Sequence, residues 1–198
     1  MTSFDQKWEA IHKDREWGRY PDNHLVRFIK RNRLNIGHGV LDIGCGVGAQ
    51  SQFMGEQGLH VTAIDASEAA IVRASKYPYS LVDYEIADVT ALPYKDEAFS
   101  LVTDVCCLQH IPDPHHIVAM QEITRVLKPG GMLFSVAAKW DHSQMRADTP
   151  LRTMRRDDLD RTYAPPGGLH IASTDQASFS DRNGAEWISH WIIVARKP

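Results

Sequence analysis

The sequence predicts an α/β protein: a doubly wound, mostly parallel β-sheet that ends in an antiparallel hairpin. Short apolar runs alternate with segments of helical periodicity between residues 38 and 138, which is typical of parallel strands joined by covering helices. The stretch VLDIGCGVGAQ then places Gly44, Gly46 and Gly48 between the first strand and its helix. Such a glycine loop is expected to hold a nucleotide-like ligand at a helix N-terminus.

The elements of the first half follow from local signals. A helix begins at Pro21-Asp22-Asn23, because these residues are good helix starters and the apolar positions after them repeat at helical spacing. Ser67 is a suitable N-cap for a later helix, and Gly58 is a suitable terminator for an earlier one. In order, the predicted elements are strand 40–43, helix 49–57, strand 61–64, helix 68–76 and strand 81–87.

The second half continues the alternation and then breaks it. The predicted elements are strand 99–105, helix 115–127, a turn at Pro129-Gly130-Gly131 and strand 132–138. Beyond residue 138 the chain is polar, with a short helix expected at 157–163. Asn183-Gly184 is a strong hairpin signal, and the apolar run 187–195 supplies the returning strand.

Composition limits the classes of function. A chain of 198 residues suits one domain, and a net charge of -3 lacks the basic footprint of a dedicated nucleic-acid binder. The N-terminus lacks the pattern of a signal peptide, and no apolar run reaches the roughly 20 residues of a membrane span. Three cysteines, an odd number, favour free thiols in a reducing cytoplasm. We therefore expect a cytoplasmic protein without nucleic-acid or membrane partners.

Gly44, Asp65, Asp88 and Asp104 fall at the carboxyl ends of four predicted strands, and Asp42 lies just before the glycine loop. Because the carboxyl ends of parallel strands meet at one rim of the sheet, these groups are expected to surround one ligand.

The glycine loop by itself leaves the ligand open. Gly44 to Ala49 also reads as G-x-G-x-x-A, and an acid about 20 residues later fits a dinucleotide site. Asp42 would oppose a pyrophosphate on the loop amides but would tolerate a ligand that carries an ammonium and a sulfonium and no phosphate. S-adenosylmethionine is such a ligand. The alternative is that Asp42 only braces the loop.

Four segments in order resemble the class I S-adenosylmethionine-dependent methyltransferases, in the branch with a small generic methyltransferase domain. They are VLDIGCGVG, VTAIDAS, EIADVTALPYKDEAFSLVTDVCCLQHI and RVLKPGGMLFSV, and they cover about half of the chain. The resemblance implies a Rossmann-like sheet of seven strands. It divides the domain into an N-terminal helical lid (1–36), a cofactor-binding core (38–138), a substrate-pocket segment (139–172) and a C-terminal β-hairpin (173–198).

The resemblance also implies roles for matching residues. The methionine part of the cofactor would lie on the backbone of Gly44, Cys45 and Gly46, the ribose on Asp65, and the adenine against Ala66, Asp88 and Val89. Asp104 would offer its carbonyl to the ammonium, while its side chain has no expected role because relatives often have a small or thiol residue there.

Two further groups are candidates for the acceptor side. Trp17, Arg19 and Tyr20 would belong to the lid and contact cofactor or substrate, or else form an aromatic cluster that pins the N-terminus. Gln109 and His110 follow the fourth strand; His110 is a candidate general base, or a packing residue. The histidines near position 115 match no known metal pattern, so we expect no metal.

The predicted function is in-line transfer of a methyl group from S-adenosylmethionine to an oxygen or nitrogen of a small molecule, with sulfur or carbon less favoured, leaving S-adenosylhomocysteine. The alternatives are an NAD-dependent oxidoreductase that uses the same loop, a non-catalytic S-adenosylmethionine-binding module, and a macromolecular methyltransferase that acts on protein or RNA, against which the acidic charge balance argues.

Overall fold

The computed structural model describes residues 3–14, 18–33, 36, 39–112, 115–139, 154–163, 168–180 and 187–198. The helices in these ranges are α1 (Ser3–Asp14), α2 (Asn23–Asn32), α3 (Ala49–Glu56), α4 (Glu68–Ala74), α5 (His115–Val126) and α6 (Asp158–Tyr163). The strands are β1 (Gly39–Ile43), β2 (His60–Asp65), β3 (Val82–Ile86), β4 (Phe99–Val105), β5 (Leu127–Ala138), β6 (His170–Ser180) and β7 (Trp187–Arg196).

The strands form one seven-stranded sheet in the order β3-β2-β1-β4-β5-β7-β6. Strands β1 to β5 are parallel, and β7 runs antiparallel between β5 and β6. Ile43 pairs with Ile64 on one side and with Asp104 on the other, so the carboxyl ends of β1, β2 and β4 are level. The strand order reverses between β1 and β4, which opens the crevice where such sheets bind ligands. The predicted fold class is confirmed.

Both faces of the sheet are covered. Leu25 and Ile29 of α2 and Met54 of α3 pack against Val40 and the other side chains of one face. Met120 and Ile123 of α5 and Leu159 of α6 pack against Leu41 and the opposite face. Val40 and Leu41 are neighbours in β1 and point to opposite faces of the sheet. Because helices cover both faces, both side chains are buried, and the strand reads as an apolar run.

The start of α2 shows how local chemistry positions an element. The Asp22 carboxylate accepts hydrogen bonds from the backbone N–H groups of His24, at 2.8 Å, and Leu25, at 3.0 Å. It thus satisfies amides that the helix itself leaves unpaired. The predicted helix start is therefore confirmed.

The C-terminal half departs from the predicted boundaries. Strand β5 begins at Leu127, so the expected turn at 129–131 is part of the strand. The reason is tertiary: the N–H of Gly130 donates to the Lys197 carbonyl at 3.0 Å, and the Lys197 N–H donates to the Gly131 carbonyl at 2.9 Å. Strand β6 begins at His170, a few residues before the expected hairpin. The predicted turn at 183–184 lies outside the described residues.

None of the helices within the described ranges has the length and apolar composition that crossing a membrane requires.

Candidate functional site

The glycine loop after β1 is packed too tightly for side chains at two of its positions. Gly44 has φ +63°, and a Cβ there would lie 2.5 Å from both Cβ and Sγ of Cys107. Gly48 has φ +85°, and a Cβ there would lie 2.4 Å from the hydroxyl of Tyr84. The loop therefore packs between Cys107, in the segment after β4, and the side chain of Tyr84 in β3. Without side chains at these positions, the loop backbone lies at the rim of the sheet.

Asp42 lies behind this loop and is only 1% exposed. Its carboxylate accepts hydrogen bonds from the hydroxyl of Ser51 at 2.5 Å and from that of Thr103 at 2.7 Å. It thereby ties β1 to α3 and to β4. Burial raises the pKa of Asp42 to about 6, against the opposing effect of the two hydroxyl donors. The structure describes a bracing role; a direct contact of Asp42 with a ligand stays a prediction.

Asp65 joins the glycine loop to the loop that follows β2. One carboxylate oxygen accepts from the N–H of Gly46 at 3.0 Å, and the other accepts from the N–H of Ser67 at 2.9 Å. Burial raises the pKa of this carboxyl. A carboxylate has about four acceptor positions, so two remain for hydroxyl groups of a ligand. Ala66, the next residue, is half-buried at the same edge.

Asp88 and Val89 stand beyond the end of β3. Asp88 is exposed, and its carboxylate accepts from the N–H of Thr90 at 2.8 Å and from its hydroxyl at 2.7 Å. The side chain of Val89 packs in the core, so only its backbone can face a ligand. The Asp88 carboxylate keeps capacity to accept from an exocyclic amine.

The side chain of Asp104, for which sequence offered no role, shapes the segment after β4. It is fully buried and accepts from the N–H groups of Cys107, at 2.8 Å, and Leu108, at 3.1 Å, and from the hydroxyl of Ser135 at 2.5 Å. The Tyr163 hydroxyl lies 2.9 Å from the Ser135 hydroxyl. Burial raises the pKa of Asp104 to about 6. The residue therefore orients the turn that carries Gln109 and His110.

Three buried carboxyls thus lie beneath one rim of the sheet. Coulomb repulsion from Asp104 and Asp65 adds to burial in raising the pKa of Asp42. A negative potential here favours a ligand with positive charge and disfavours a pyrophosphate.

Gln109 and His110 lie in the short 3₁₀ turn Leu108–His110. The Oε1 atom of Gln109 accepts from the N–H of Ala138 at 2.7 Å, and its Nε2 lies 3.4 Å from Nε2 of His110. The ring of Trp8 meets the imidazole edge-on, with centroids 4.6 Å apart. Burial, together with the charge of Lys7, lowers the pKa of His110 to about 4. A pKa so far below neutrality does not favour the predicted role of general base.

The N-terminal segment reaches the site through α1. Glu9 accepts from the hydroxyl of Ser67 at 2.8 Å and from the N–H of Ala69 at 3.0 Å, so α1 is held over the first turn of α4. Of the residues predicted for the lid, Tyr20 is 84% exposed and Arg19 is exposed. Trp17 lies outside the described residues. The roles of these three residues stay predictions.

His12 is a residue that sequence reasoning missed. It is 5% exposed, and its Cε1 lies 3.6 Å from the position that a Cβ on Gly46 would take. Burial lowers its pKa, while the charge of Asp65 raises it. Other missed neighbours of the site are Trp8, Glu9, Ser51, Thr103, Ser135 and Tyr163. Sequence offers only a weak signal for α1, the spacing of four residues between Trp8 and His12.

Across the described ranges, no group of three or more histidine, cysteine, aspartate or glutamate side chains is arranged to hold a metal ion. Cys45, Cys106 and Cys107 are free thiols. Burial raises the pKa of each, so their thiolate forms are disfavoured.

Known proteins with similar sequences are methyltransferases by name. The sequence pattern of a family described as "Methyltransferase domain" matches residues 41–135, which include most of β1, all of β2 to β4 and most of β5. The chain is 34% identical over 140 residues to a ubiquinone biosynthesis O-methyltransferase of Pseudomonas entomophila, covering 65% of this chain and 59% of that protein. It is 31% identical over 162 residues to a demethylmenaquinone methyltransferase of Renibacterium salmoninarum, covering 77% and 65%. The chain thus spans less than two thirds of either relative.

Among solved structures, a similar one is the 1,6-didemethyltoxoflavin-N1-methyltransferase of Burkholderia thailandensis with bound 1,6-didemethyltoxoflavin and S-adenosylhomocysteine. The TM-score is 0.67, the identity is 20%, and the match covers 88% of this chain and 77% of that one. At this identity the likeness shows a shared fold.

Proposed function

We infer that the chain belongs to the class I S-adenosylmethionine-dependent methyltransferases, and we propose that it transfers a methyl group from S-adenosylmethionine to an oxygen or nitrogen of a small molecule. The single observation that carries this proposal is the bridge formed by Asp65. Its carboxylate links the glycine loop to the β2–α4 loop and keeps free acceptor positions at the rim.

The donor set fits S-adenosylmethionine. A ribose needs an acceptor for two adjacent hydroxyls, which the remaining lone pairs of Asp65 supply. The backbone of Gly44, Cys45 and Gly46 would lie along the methionine part. Ala66, Asp88 and the backbone of Val89 would surround the adenine. The carbonyl of Asp104 would accept from the ammonium, while the buried carboxyls of Asp42 and Asp104 favour the cationic ligand electrostatically.

When bound, S-adenosylmethionine supplies an electrophilic methyl group. The chain's own contribution is position and exclusion of water. The rim groups would fix the donor, and the turn Leu108–His110 would line the acceptor side of the crevice. Helix α1 lies over the β2–α4 loop. Alignment of two reactants of this kind can lower a barrier by up to roughly 7–11 kcal/mol without a base.

We propose a small-molecule acceptor because the two relatives are named for ubiquinone biosynthesis and for demethylmenaquinone, and the Burkholderia enzyme was solved with bound 1,6-didemethyltoxoflavin. The net charge of -3 supports the absence of nucleic-acid and membrane partners. The three free thiols support a cytoplasmic location.

The decisive experiment is calorimetric titration of the protein with S-adenosylhomocysteine and, separately, with NAD. We expect binding of S-adenosylhomocysteine alone, and at least a tenfold loss of affinity in Asp65→Ala, because charge-assisted hydrogen bonds to the ribose are lost. The matched control is Asp83→Ala, which removes an exposed aspartate from the body of β3, away from the rim. Binding of NAD with none of S-adenosylhomocysteine would favour the oxidoreductase alternative.

Turnover separates an enzyme from a non-catalytic binding module. The protein is incubated with S-adenosylmethionine carrying a labelled methyl group and a panel of phenols, catechols and amines. We expect label in a low-molecular-weight product. Tight binding of S-adenosylmethionine without transfer to any acceptor of the panel would favour the binding module.

A further inference from the structure

Gln109 is held in one orientation by its surroundings. It is 6% exposed, and its side-chain oxygen accepts from the backbone N–H of Ala138 at 2.7 Å. A backbone N–H can only donate, so the oxygen of the amide must face Ala138 and the NH₂ group must face the other way. The hydrogen bond to Ala138 therefore determines the orientation of this amide.

That orientation determines which nitrogen of His110 carries a proton. The Gln109 NH₂ group can only donate, and its nitrogen lies 3.4 Å from Nε2 of His110. As the acceptor of this contact, Nε2 would be the unprotonated nitrogen of the neutral ring, and the proton would reside on Nδ1.

The turn that carries both residues is itself well held. Asp104 accepts from the N–H groups of Cys107 and Leu108, and Ser135 donates to the same carboxylate. Trp8 packs edge-on against the imidazole. Burial keeps the ring neutral near pH 7, and Lys7 is the charged group that faces it. The side chains therefore keep one arrangement.

We propose that Gln109 is a positioning residue that holds His110 as an Nδ1–H hydrogen-bond donor, so that His110 recognises a lone pair on the methyl acceptor and does not remove its proton. The inference rests on the proposed function and deepens it. The nitrogen that a general base would need is already occupied by Gln109. His110 would select acceptors that carry a carbonyl, carboxylate or phenolic oxygen next to the nucleophilic atom.

The transfer step then balances without a protein base. The bond between the methyl carbon and sulfur breaks, its electron pair stays on sulfur, and a bond forms between the carbon and the acceptor atom. The acceptor arrives deprotonated or releases its proton to water.

The first test reads the tautomer directly and needs neither cofactor nor acceptor. Long-range proton–nitrogen NMR correlations of histidine side chains are recorded at pH 7, with the His110 signals assigned from their loss in His110→Asn. We expect the wild type to carry its proton on Nδ1. Gln109→Glu keeps an oxygen for the Ala138 amide but presents an acceptor to the ring, so we expect protonation at Nε2 and a pKa raised by at least 1 unit.

An Nε2-protonated wild-type ring would overturn the inference even if Gln109→Glu fails to fold. A folded Gln109→Glu with an unchanged tautomer and pKa would also overturn it. Because this test uses the free protein, its outcome is independent of whether S-adenosylmethionine is bound, which the calorimetric experiment decides.

The second test uses turnover with an accepted phenol. We expect His110→Asn to stay within tenfold of the wild-type kcat/KM, because an asparagine amide can still donate, and His110→Ala to lose more than tenfold. His115→Asn, on the exposed start of α5, is the matched control. If both His110 variants lose activity equally and recover it as pH is raised, His110 is a base and the inference is wrong.

Discussion

At the scale of single residues, the rim is built from carboxyls that are buried with hydroxyl and amide donors. Asp42 is held by Ser51 and Thr103, and Asp104 by Ser135 and two backbone amides. Such donors stabilise the charged form but do not fully offset the loss of hydration, and the pKa of each of the two aspartates is raised to about 6. Burial of these carboxylates therefore costs free energy, and they lie beneath the place where a cationic ligand is proposed to bind.

These raised pKa values predict the sign of a pH effect on stability. A carboxyl whose pKa is higher in the folded than in the unfolded chain holds its proton longer when folded. The free energy of unfolding therefore falls as pH rises from about 4 to about 6. Asp104→Asn keeps an acceptor for the Cys107 and Leu108 amides but removes this titration. We expect its unfolding free energy, measured by urea denaturation at pH 4 and pH 7.5, to fall less than that of the wild type, by about 2–3 kcal/mol. Parallel curves for the two proteins would contradict the assignment.

Gly44 offers a second prediction at this scale. Alanine there meets both an unfavourable φ of +63° and the Cys107 side chain 2.5 Å away. Gly130 has a comparable φ of +74° but open space around its Cβ position, so Gly130→Ala is the matched control for backbone strain. We expect Gly44→Ala to be less stable than Gly130→Ala by about 1–3 kcal/mol in urea denaturation, because only the first forces a packed group to move. Equal losses would show that strain alone requires the glycine.

At the scale of elements, hydrogen bonds at two positions attach α1 to α4. Glu9 satisfies the Ser67 hydroxyl and the Ala69 amide at the start of α4, and Arg73 of α4 donates to the Lys13 carbonyl at 2.8 Å. The hydrogen bonds from the Ala69 amide and the Ser67 hydroxyl lower the pKa of Glu9. The helix therefore lies over the loop that contains Asp65 and Ala66, with His12 beside Gly46.

This attachment predicts a local effect. We expect Glu9→Ala to increase amide hydrogen exchange in α1 and in the first turn of α4, corresponding to a loss of about 1–2 kcal/mol of protection. The control is Lys13→Ala, which removes an exposed ion pair of 3.2 Å with Glu9 and leaves the attachment to α4 intact. Uniform exchange changes across the domain in Glu9→Ala would instead indicate global destabilisation.

At the scale of the whole molecule, the last strand joins the edge strand β6 to the parallel part of the sheet. β7 lies between β5 and β6, and Ile193 pairs with Ser135, the residue that donates to Asp104. Trp191 of the same strand donates from Nε1 to the Met154 carbonyl at 2.8 Å, so β7 also anchors the chain ahead of α6. The C-terminal strand thus pairs with the part of β5 that holds the Asp104 carboxylate.

Shortening a buried side chain of β7 should therefore lower the stability of the entire domain. Ile193 is fully buried, and we expect Ile193→Ala to reduce the free energy of unfolding by about 2–5 kcal/mol in one cooperative transition. Ile117→Ala, at a site that is 60% exposed on α5, should change it by less than about 0.5 kcal/mol. A non-cooperative transition in which only the C-terminal strands unfold would contradict the dependence of the core on β7.

The parts of this protein that were predictable from sequence are those encoded locally. The parallel strands are buried on both faces and read as apolar runs, the glycine loop has a distinctive spacing, and the Asp22 cap precedes its helix by one residue. The positions of Asp42, Asp65, Asp88 and Asp104 at strand ends follow from the same alternation. The boundary of β5 was wrong because its first residues are held by the backbone of Lys197, far away in the chain.

By itself, the sequence determined the α/β class, the parallel core and the rim where a ligand would lie, because periodicity and turn chemistry act over a few neighbouring residues. Only the tertiary structure decided what the rim groups do. Glu9 contacts a residue 58 positions away, Asp42 one 61 positions away and Gln109 one 29 positions away. Such contacts depend on the folded path of the chain. They turn Asp42 into a brace, give the Asp104 side chain a role in holding the turn, and set the tautomer that we propose for His110.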